Sequence, residues 1–180
     1  GFCYGVENAI EIAFRTVDEN PGKRIFLLSE MIHNPFVNED LTNRGVRFMM
    51  DTNGNNLVPF ETLTHEDIVI IPAFGTTLDI ENKLRATGIQ LEKYDTTCPF
   101  VEKVWNKSEQ IASRGYSVIV HGKPSHEETR ATFSHSAAHT PTVIVNDMKE
   151  AVELGRYIKG EKPSKDFYKE FQNQYTPGFD

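Results

Sequence analysis

Two hydrophobic patterns alternate along most of this chain. Nearly continuous apolar runs, typical of strands buried in a parallel sheet, are separated by stretches whose apolar residues recur every three to four positions, as in amphipathic helices. The runs that predict strands are RIFLLSE, VRFM, DIVIIPAFG, IQLEKYD, YSVIVHG and PTVIVND. This alternation predicts an α/β fold in which crossover helices connect parallel strands.

Helix-start signals support the same organisation. Asn34 and Asp147 are good N-caps, each placed just before a helical pattern, and a last helix is predicted over residues 164–175. The second half of the chain repeats the strand–helix order of the first half. We therefore predict two similar α/β units, residues 1–97 and 98–180, each with a small parallel sheet flanked by helices.

Composition narrows the class of protein. The formal net charge of −7 argues against broad nucleic-acid binding. No apolar run approaches the roughly 20 residues of a membrane-spanning helix, so we expect no membrane association. Two cysteines in 180 residues do not form the framework of a disulfide-rich secreted protein. A reducing, cytoplasmic setting is the simplest interpretation.

Cys98 lies where the strand pattern of IQLEKYD gives way to helical spacing. Thr96 or Thr97 is predicted to cap that helix, and Pro99 suits its first turn, where no amide donor is needed. The helix dipole and the free amides of the first turn favour a thiolate at such a junction. The position therefore suits a reactive or a metal-binding sulfur, and the local pattern does not choose between them.

Cys3, in GFCYGV, begins another predicted helix, and Gly1 and Gly5 beside it allow the backbone to approach something bulky. Taken alone, this cysteine is either a buried structural thiol or a ligand. Two cysteines at two helix N-termini favour ligation. They are too few for a closed four-ligand zinc site, and although they could form a disulfide, their spacing is not that of a CxxC redox motif.

Polar candidates also follow the other strands. His33, in MIHNPF, precedes a helix start, where anions bind well, although a single histidine is more often structural. His126 and Glu128, in SHEETR, form either a solvated first turn or a histidine donor beside a carboxyl acid. Arg130 occupies the place of the second histidine of HExxH, which argues against a zinc protease. Since ligands bind beyond the carboxyl ends of parallel strands, we expect these residues and the two cysteines to share one cleft.

Five stretches, in order and spacing, resemble 4-hydroxy-3-methylbut-2-enyl diphosphate reductase, the last enzyme of the non-mevalonate isoprenoid route. They are GFCYGVENAIEIA, EMIHNPFVNEDL, IVIIPAFGTT, DTTCPFVEKVWN and HGKPSHEETRAT. The residues in these stretches are most similar to those of the plant and cyanobacterial branch. The resemblance therefore implies a cytoplasmic or plastid stromal location. The resemblance implies three α/β units around a [4Fe–4S] cluster held by three cysteines.

The resemblance also implies a role for each matching residue. Cys3 and Cys98 would be two of the cluster ligands, His33 and His126 would bind the substrate diphosphate, and Glu128 would be the proton donor, a buried carboxyl group. The implied reaction removes the substrate hydroxyl as water, using two electrons and two protons, and gives isopentenyl and dimethylallyl diphosphates. The electrons would come from an external donor such as ferredoxin or flavodoxin.

The sequence departs from the family pattern in two ways. Phe74 stands where many bacterial members have a further diphosphate-binding histidine, and the third cysteine is absent. The chain also opens on GFCYGV without an initiator Met and stops at TPGFD, so we expect a fragment that lacks the third unit. Two alternatives need no cluster: a non-catalytic α/β module that binds phosphorylated ligands, and a thiol-redox protein that uses Cys3 and Cys98.

Overall fold

The computed structural model describes residues 1–179 and divides the chain into two compact units, Gly1–Lys103 and Val104–Asp180. The division falls inside a helix, Pro99–Ala112, that begins directly after Cys98. The boundary predicted after residue 97 stays a prediction.

Unit 1 contains a three-stranded parallel sheet with helices on both faces. Its elements are α1 (Tyr4–Glu19), β1 (Ile25–Leu27), α2 (Pro35–Asn43), β2 (Arg47–Phe48), β3 (Ile68–Ile70), α3 (Leu78–Ala86) and the start of α4 (Pro99–Ala112). The strand order is β2-β1-β3, and Phe26 in the central strand lies opposite Arg47 and Val69. The α/β prediction is confirmed.

The two faces of this sheet form two separate apolar clusters. Ile25 and Leu27 of β1 pack with Ala9 and Ala13 of α1 on one face. Phe26 packs on the opposite face, in the cluster that includes Leu84 of α3. All three residues of β1 are buried, as expected for a central strand covered on both sides.

Unit 2 contains a two-stranded parallel sheet. Its elements, after the remainder of α4, are β4 (Val118–His121), α5 (Glu127–Ala137), β5 (Thr142–Val145), α6 (Met148–Ile158) and α7 (Ser164–Glu170). Val118 and Val120 pack on one face with Phe133 of α5. On the other face, Val143 and Val145 of β5 form a cluster with apolar side chains of α6 and α7. None of the helices within residues 1–179 combines the length and apolar character needed to cross a bilayer.

Two predicted elements are wrong in detail. Residues 89–95 do not form a strand: Glu92–Tyr94 is a short 3-10 turn, and only Asp95 bridges to the sheet, opposite Ile71. A strand would direct Lys93 to the same face as Leu91, whereas the turn buries both Leu91 and Tyr94. The core therefore prefers the turn.

The last predicted helix is shorter than the sequence suggests. α7 ends at Glu170, and Asn173 adopts a left-handed conformation, with φ of 66°, that reverses the chain. Tyr175 then bridges antiparallel to Val143 on the outer edge of β5.

Candidate functional site

The thiol of Cys98 lies against the bare backbone of Gly5, two residues after Cys3. A Cβ added to Gly5 would overlap the Cys98 Sγ and come within 3.4 Å of its Cβ. The sequence predicts a bulky neighbour beside Gly5, and that neighbour is the side chain of Cys98. Cys3 is exposed, Cys98 is half-buried, and neither forms a disulfide.

Both cysteines stand immediately before a helix. Cys3 occupies the N-cap position of α1, and its carbonyl accepts a hydrogen bond from the Glu7 amide at 3.0 Å. Cys98 directly precedes α4, and its carbonyl accepts from the amides of Val101 at 2.8 Å and Glu102 at 3.1 Å. Each cysteine therefore stands at the N-terminal end of a helix, where the helix dipole is positive.

The predicted threonine cap of α4 is wrong. Thr97 donates its hydroxyl backwards to Asp95 Oδ1 at 2.6 Å, and the Thr96 hydroxyl bonds the Ile71 carbonyl. These bonds, and the 3.0 Å bond from the Cys98 amide to the Ala73 carbonyl, attach the segment before α4 to the end of β3. The two threonines therefore hold Cys98 in place, and the amides in the first turn of α4 donate to the Cys98 carbonyl and not to a threonine side chain.

His33 lies just beyond β1 and is held from two sides. Its Nδ1 lies 3.3 Å from Glu30 Oε2, and its ring stacks on Phe74 with the centroids 4.6 Å apart. Asn34, as predicted, caps α2 and accepts from the amides of Phe36 and Val37. The carboxylate beside Nδ1 favours a hydrogen on that nitrogen and directs Nε2 away from Glu30. Sequence reasoning missed both Glu30 and the stacking role of Phe74.

His126 differs from His33 because it caps its helix itself. Its Nδ1 accepts a hydrogen bond from the Glu128 amide at 3.3 Å, at the first turn of α5. This bond selects the neutral tautomer with hydrogen on Nε2, a donor suited to an anionic oxygen. A Cβ on Gly122, just after β4, would overlap the Thr129 hydroxyl, so the strand end and α5 approach closely.

The two carboxylates after His126 have opposite environments. Glu127 is buried, with 6% of its surface exposed, whereas Glu128 is exposed. The expectation of a buried Glu128 is therefore not met in this chain. Adjacent helical residues point about 100° apart, so the sequence indicates that the pair diverges but not which member faces the interior.

A ring stack on α5 was not foreseen. Trp105 lies 3.7 Å from His135, ring centroid to centroid, with the planes nearly parallel, and its indole donates to Thr132 Oγ1 at 3.2 Å. Thr132 and His135 are three residues apart on one helix face, a spacing that could have indicated a shared partner.

The structure brings several candidates together inside unit 1. Cys98 lies against Gly5, near Cys3 in sequence, and its amide bonds Ala73, whose neighbour Phe74 stacks on His33. His126 and Glu128 belong to unit 2. One cleft shared by the five predicted site residues stays a prediction. Among residues 1–179, no three His, Cys, Asp or Glu side chains are grouped closely enough to hold a metal ion.

These features define an α/β protein with two parallel sheets and, in unit 1, two cysteines that each stand directly before a helix. A family model described as LytB protein matches residues 1–169. The chain belongs to the LytB family.

Two similar curated proteins, both from cyanobacteria, have the same protein name. A 4-hydroxy-3-methylbut-2-enyl diphosphate reductase of Cyanothece is 40% identical over 181 residues, and one of Synechococcus is 39% identical over 180 residues. Each match covers 100% of this chain and 43% of the relative. The chain thus spans less than half the length of these relatives.

Solved structures agree with the fold. The chain is similar to a structure of (E)-4-hydroxy-3-methyl-but-2-enyl diphosphate reductase, with a TM-score of 0.68 and 28% identity over 85% of this chain and 50% of the other. A reductase structure from Plasmodium falciparum gives a TM-score of 0.72 at 24% identity, covering 44% of that chain, and supports the fold alone.

Proposed function

We propose that this chain forms part of a 4-hydroxy-3-methylbut-2-enyl diphosphate reductase. The reaction breaks the carbon–oxygen bond of the substrate's hydroxyl group, consumes two electrons and two protons, and releases water with isopentenyl or dimethylallyl diphosphate. The contact between the Cys98 thiol and Gly5, two residues from Cys3, carries the proposal. The names of the cyanobacterial relatives support the choice of reaction.

The two cysteines fit an iron–sulfur cluster in chemistry but not in number. Cysteine thiolates are the usual ligands of such clusters, and each of these cysteines stands at a helix N-terminus. A [4Fe–4S] cluster with one open iron needs a third thiolate, and this chain contains two cysteines. The third ligand must therefore come from outside these 180 residues. When bound, such a cluster supplies the electrons and a Lewis-acid iron for the departing oxygen.

Two histidines are suited to the diphosphate. The His126 tautomer with hydrogen on Nε2 can donate to a phosphate oxygen. The Glu30 carboxylate orients the His33 ring through Nδ1, and His33 would donate to the diphosphate through Nε2 as an imidazolium, in which both ring nitrogens carry hydrogen. Phe74 packs on His33 and has no hydrogen-bonding group of its own. Many bacterial members would have a further histidine at this position. In this chain Phe74 instead packs against His33 and supports it.

Glu128 is the proton donor in this proposal. It lies in the first turn of α5, two residues after His126, and is exposed. A carboxylic acid in this position would act as a general acid and protonate the leaving oxygen. Its exposure leaves it accessible to a substrate.

The remaining parts of the proposal follow from the reaction. The two electrons require an external one-electron carrier, such as ferredoxin or flavodoxin. The cyanobacterial relatives favour a cytoplasmic location, or the plastid stroma for a plant source.

Anaerobic reconstitution with iron and sulfide tests the proposal. With a small-molecule thiol present to supply the third ligand, the chain should retain iron after desalting and show broad visible absorption, and both should be lost when Cys3 and Cys98 are replaced by serine. Ser113→Ala, an exposed site on the chain, is the control and should change neither. Iron retention without either cysteine would contradict the proposal, as would a colourless wild-type chain. A Cys3–Cys98 disulfide without bound iron would favour the thiol-redox alternative.

A further inference from the structure

Gly122 directly follows β4 and lies against the side chain of Thr129 in the first turn of α5. A Cβ added to Gly122 would be 2.4 Å from the Thr129 Oγ1, closer than non-bonded atoms approach, and 3.4 Å from its Cγ2. The φ of Gly122 lies outside the left-handed region, so its backbone conformation is open to other residues. Glycine is therefore favoured here by the approach of Thr129 and not by the turn.

This contact closes the loop that carries His126. At the start of the loop, the Gly122 amide donates to the Val145 carbonyl at 3.0 Å, which ties the end of β4 to β5. Within the loop, the His126 amide donates to the Lys123 carbonyl at 2.9 Å. The bare Cα of Gly122 and the side chain of Thr129 then bring the two ends of the loop together. The direction of His126 therefore depends on how closely these two ends fit.

The same contact sets the rotation of α5 about its axis. Glu127 and Thr129 are 6% and 8% exposed, whereas Glu128 between them is exposed. Adjacent residues of an α-helix point about 100° apart. A rotation that withdrew Thr129 from Gly122 would therefore change which of the two carboxylates faces solvent.

The tautomer of His126 depends on the same first turn. Its Nδ1 accepts a hydrogen bond from the Glu128 amide at 3.3 Å, which is long for such a bond. A small displacement of the turn would break this bond and allow both neutral tautomers of the imidazole. Thr129 directly follows Glu128, so the residue that touches Gly122 adjoins the amide that selects the tautomer.

We infer that Thr129 is a positioning residue for His126 and Glu128. Its side chain fills the space of the missing Gly122 Cβ and seats the first turn of α5 on the end of β4. This seat holds the hydrogen of His126 on Nε2 and directs Glu128 outward. The use of this placement in substrate binding and proton transfer rests on the proposed function, whereas the placement itself does not. Because a large residue fits against a small one, the fit can be broken from one side and restored from the other.

NMR of the ring nitrogens of His126 in the isotope-labelled chain tests the inference. At alkaline pH, where imidazole is neutral, the wild type should show the pattern of the Nε2–H tautomer. Gly122→Ala should give a mixture of tautomers and speed hydrogen exchange at the Glu128 amide by about tenfold or more, because the added Cβ displaces Thr129. Gly122→Ala combined with Thr129→Ala should restore both readouts, because the truncation removes the atoms that the new Cβ would meet.

Two control variants separate the fit from other effects. Thr129→Val keeps the shape of the side chain and removes its hydroxyl, so it should leave the His126 tautomer unchanged. Gly155→Ala adds a Cβ to a helix of the same unit, at a place where nothing lies within 4 Å, and should change neither readout.

Four results would overturn the inference. They are a wild-type His126 without the Nε2–H pattern, a tautomer unaffected by Gly122→Ala, a double variant as disturbed as Gly122→Ala alone, and a Thr129→Val variant as disturbed as Gly122→Ala. Trp105, the one tryptophan of the chain, lies in unit 2 and reports whether that unit is folded. If Gly122→Ala unfolds unit 2, the double variant must restore both the fold and the tautomer, and failure to do so contradicts the inference. A chain that binds no iron would count against the proposed function and leave the tautomer result unchanged.

Discussion

The strands β1 and β4 have similar sequences and different surroundings. Residues 25–27 read IFL and residues 118–121 read VIVH, both nearly continuous in apolar character. β1 is buried throughout, whereas β4 alternates between buried and exposed residues. An apolar run therefore does not by itself show how fully a strand is buried. The difference between the units lies in the number of neighbouring strands and not in the strand sequence.

The histidines after these two strands show a second difference. His33 precedes the capping residue Asn34 and directs Nδ1 to a carboxylate, while His126 is the cap and accepts through Nδ1. The same residue type at equivalent places therefore holds its hydrogen on different nitrogens.

Truncating a central side chain in β1 and in β4 should give the largest difference in stability between the two units. Phe26→Ala should lower the stability of unit 1 by about 4 kcal/mol, because it leaves a cavity in a closed core. Ile119→Ala should cost less than about 1 kcal/mol in unit 2, because its side chain is 50% exposed. Hydrogen exchange of the sheet amides in each unit measures both values. Equal losses would show that β4 is as fully enclosed as β1.

A partly buried ion pair in unit 1 should contribute more to folding stability than an exposed ion pair in unit 2. Asp67, beside β3, accepts from Arg24, beside β1, and from the Thr64 amide. Burial acts to raise the pKa of Asp67, but the bonds from Arg24 and Thr64 outweigh it and hold the pKa below its ordinary value of 3.8. Asp67→Asn should therefore cost about 2 kcal/mol at neutral pH.

The pH dependence gives the sign of this contribution. A depressed pKa stabilises the folded state above the unfolded value of 3.8, and the stabilisation is lost as pH falls through the lower, folded pKa. The gap between wild type and Asp67→Asn, measured by urea unfolding, should close as the pH falls below about 4. Glu170→Gln, in the exposed Lys162 pair of unit 2, should show a much smaller effect. A gap that persists at low pH would place the effect elsewhere than in the charge.

Alanine substitutions at two helical glycines should have the smallest effects on stability, and the two effects should have opposite signs. Gly155→Ala in α6 should stabilise unit 2 by up to about 1 kcal/mol, because nothing lies within 4 Å of the added Cβ. Gly5→Ala in α1 should instead destabilise unit 1 by about 1 kcal/mol, because the added Cβ overlaps the Cys98 Sγ. Thermal unfolding measures the sign, and alkylation of Cys98 should change in rate only in Gly5→Ala. Stabilisation by both substitutions would remove the evidence that the thiol rests on Gly5.

Local signals along the chain were sufficient for most of the fold. Asn34 and Asp147 begin helices where they were predicted, because each carries a side-chain oxygen that its own first turn requires. The segment around Leu91 was misread because a three-residue turn and a short strand both bury two apolar residues. The prediction for Thr96 and Thr97 is wrong because their hydroxyls bond to Ile71, just after β3, and to Asp95, which the local sequence does not reveal.

The alternation of strands and helices can be predicted from local sequence alone, as can the cysteine before each of two helices and the histidine after each of two strands. These features depend on neighbouring residues, through periodicity, capping and backbone preference. Tertiary packing places the Cys98 thiol on Gly5, buries Glu127 and not Glu128, and gives β1 two neighbouring strands where β4 has one among residues 1–179. Such outcomes depend on contacts between residues far apart in sequence, which chain packing sets and local pattern does not.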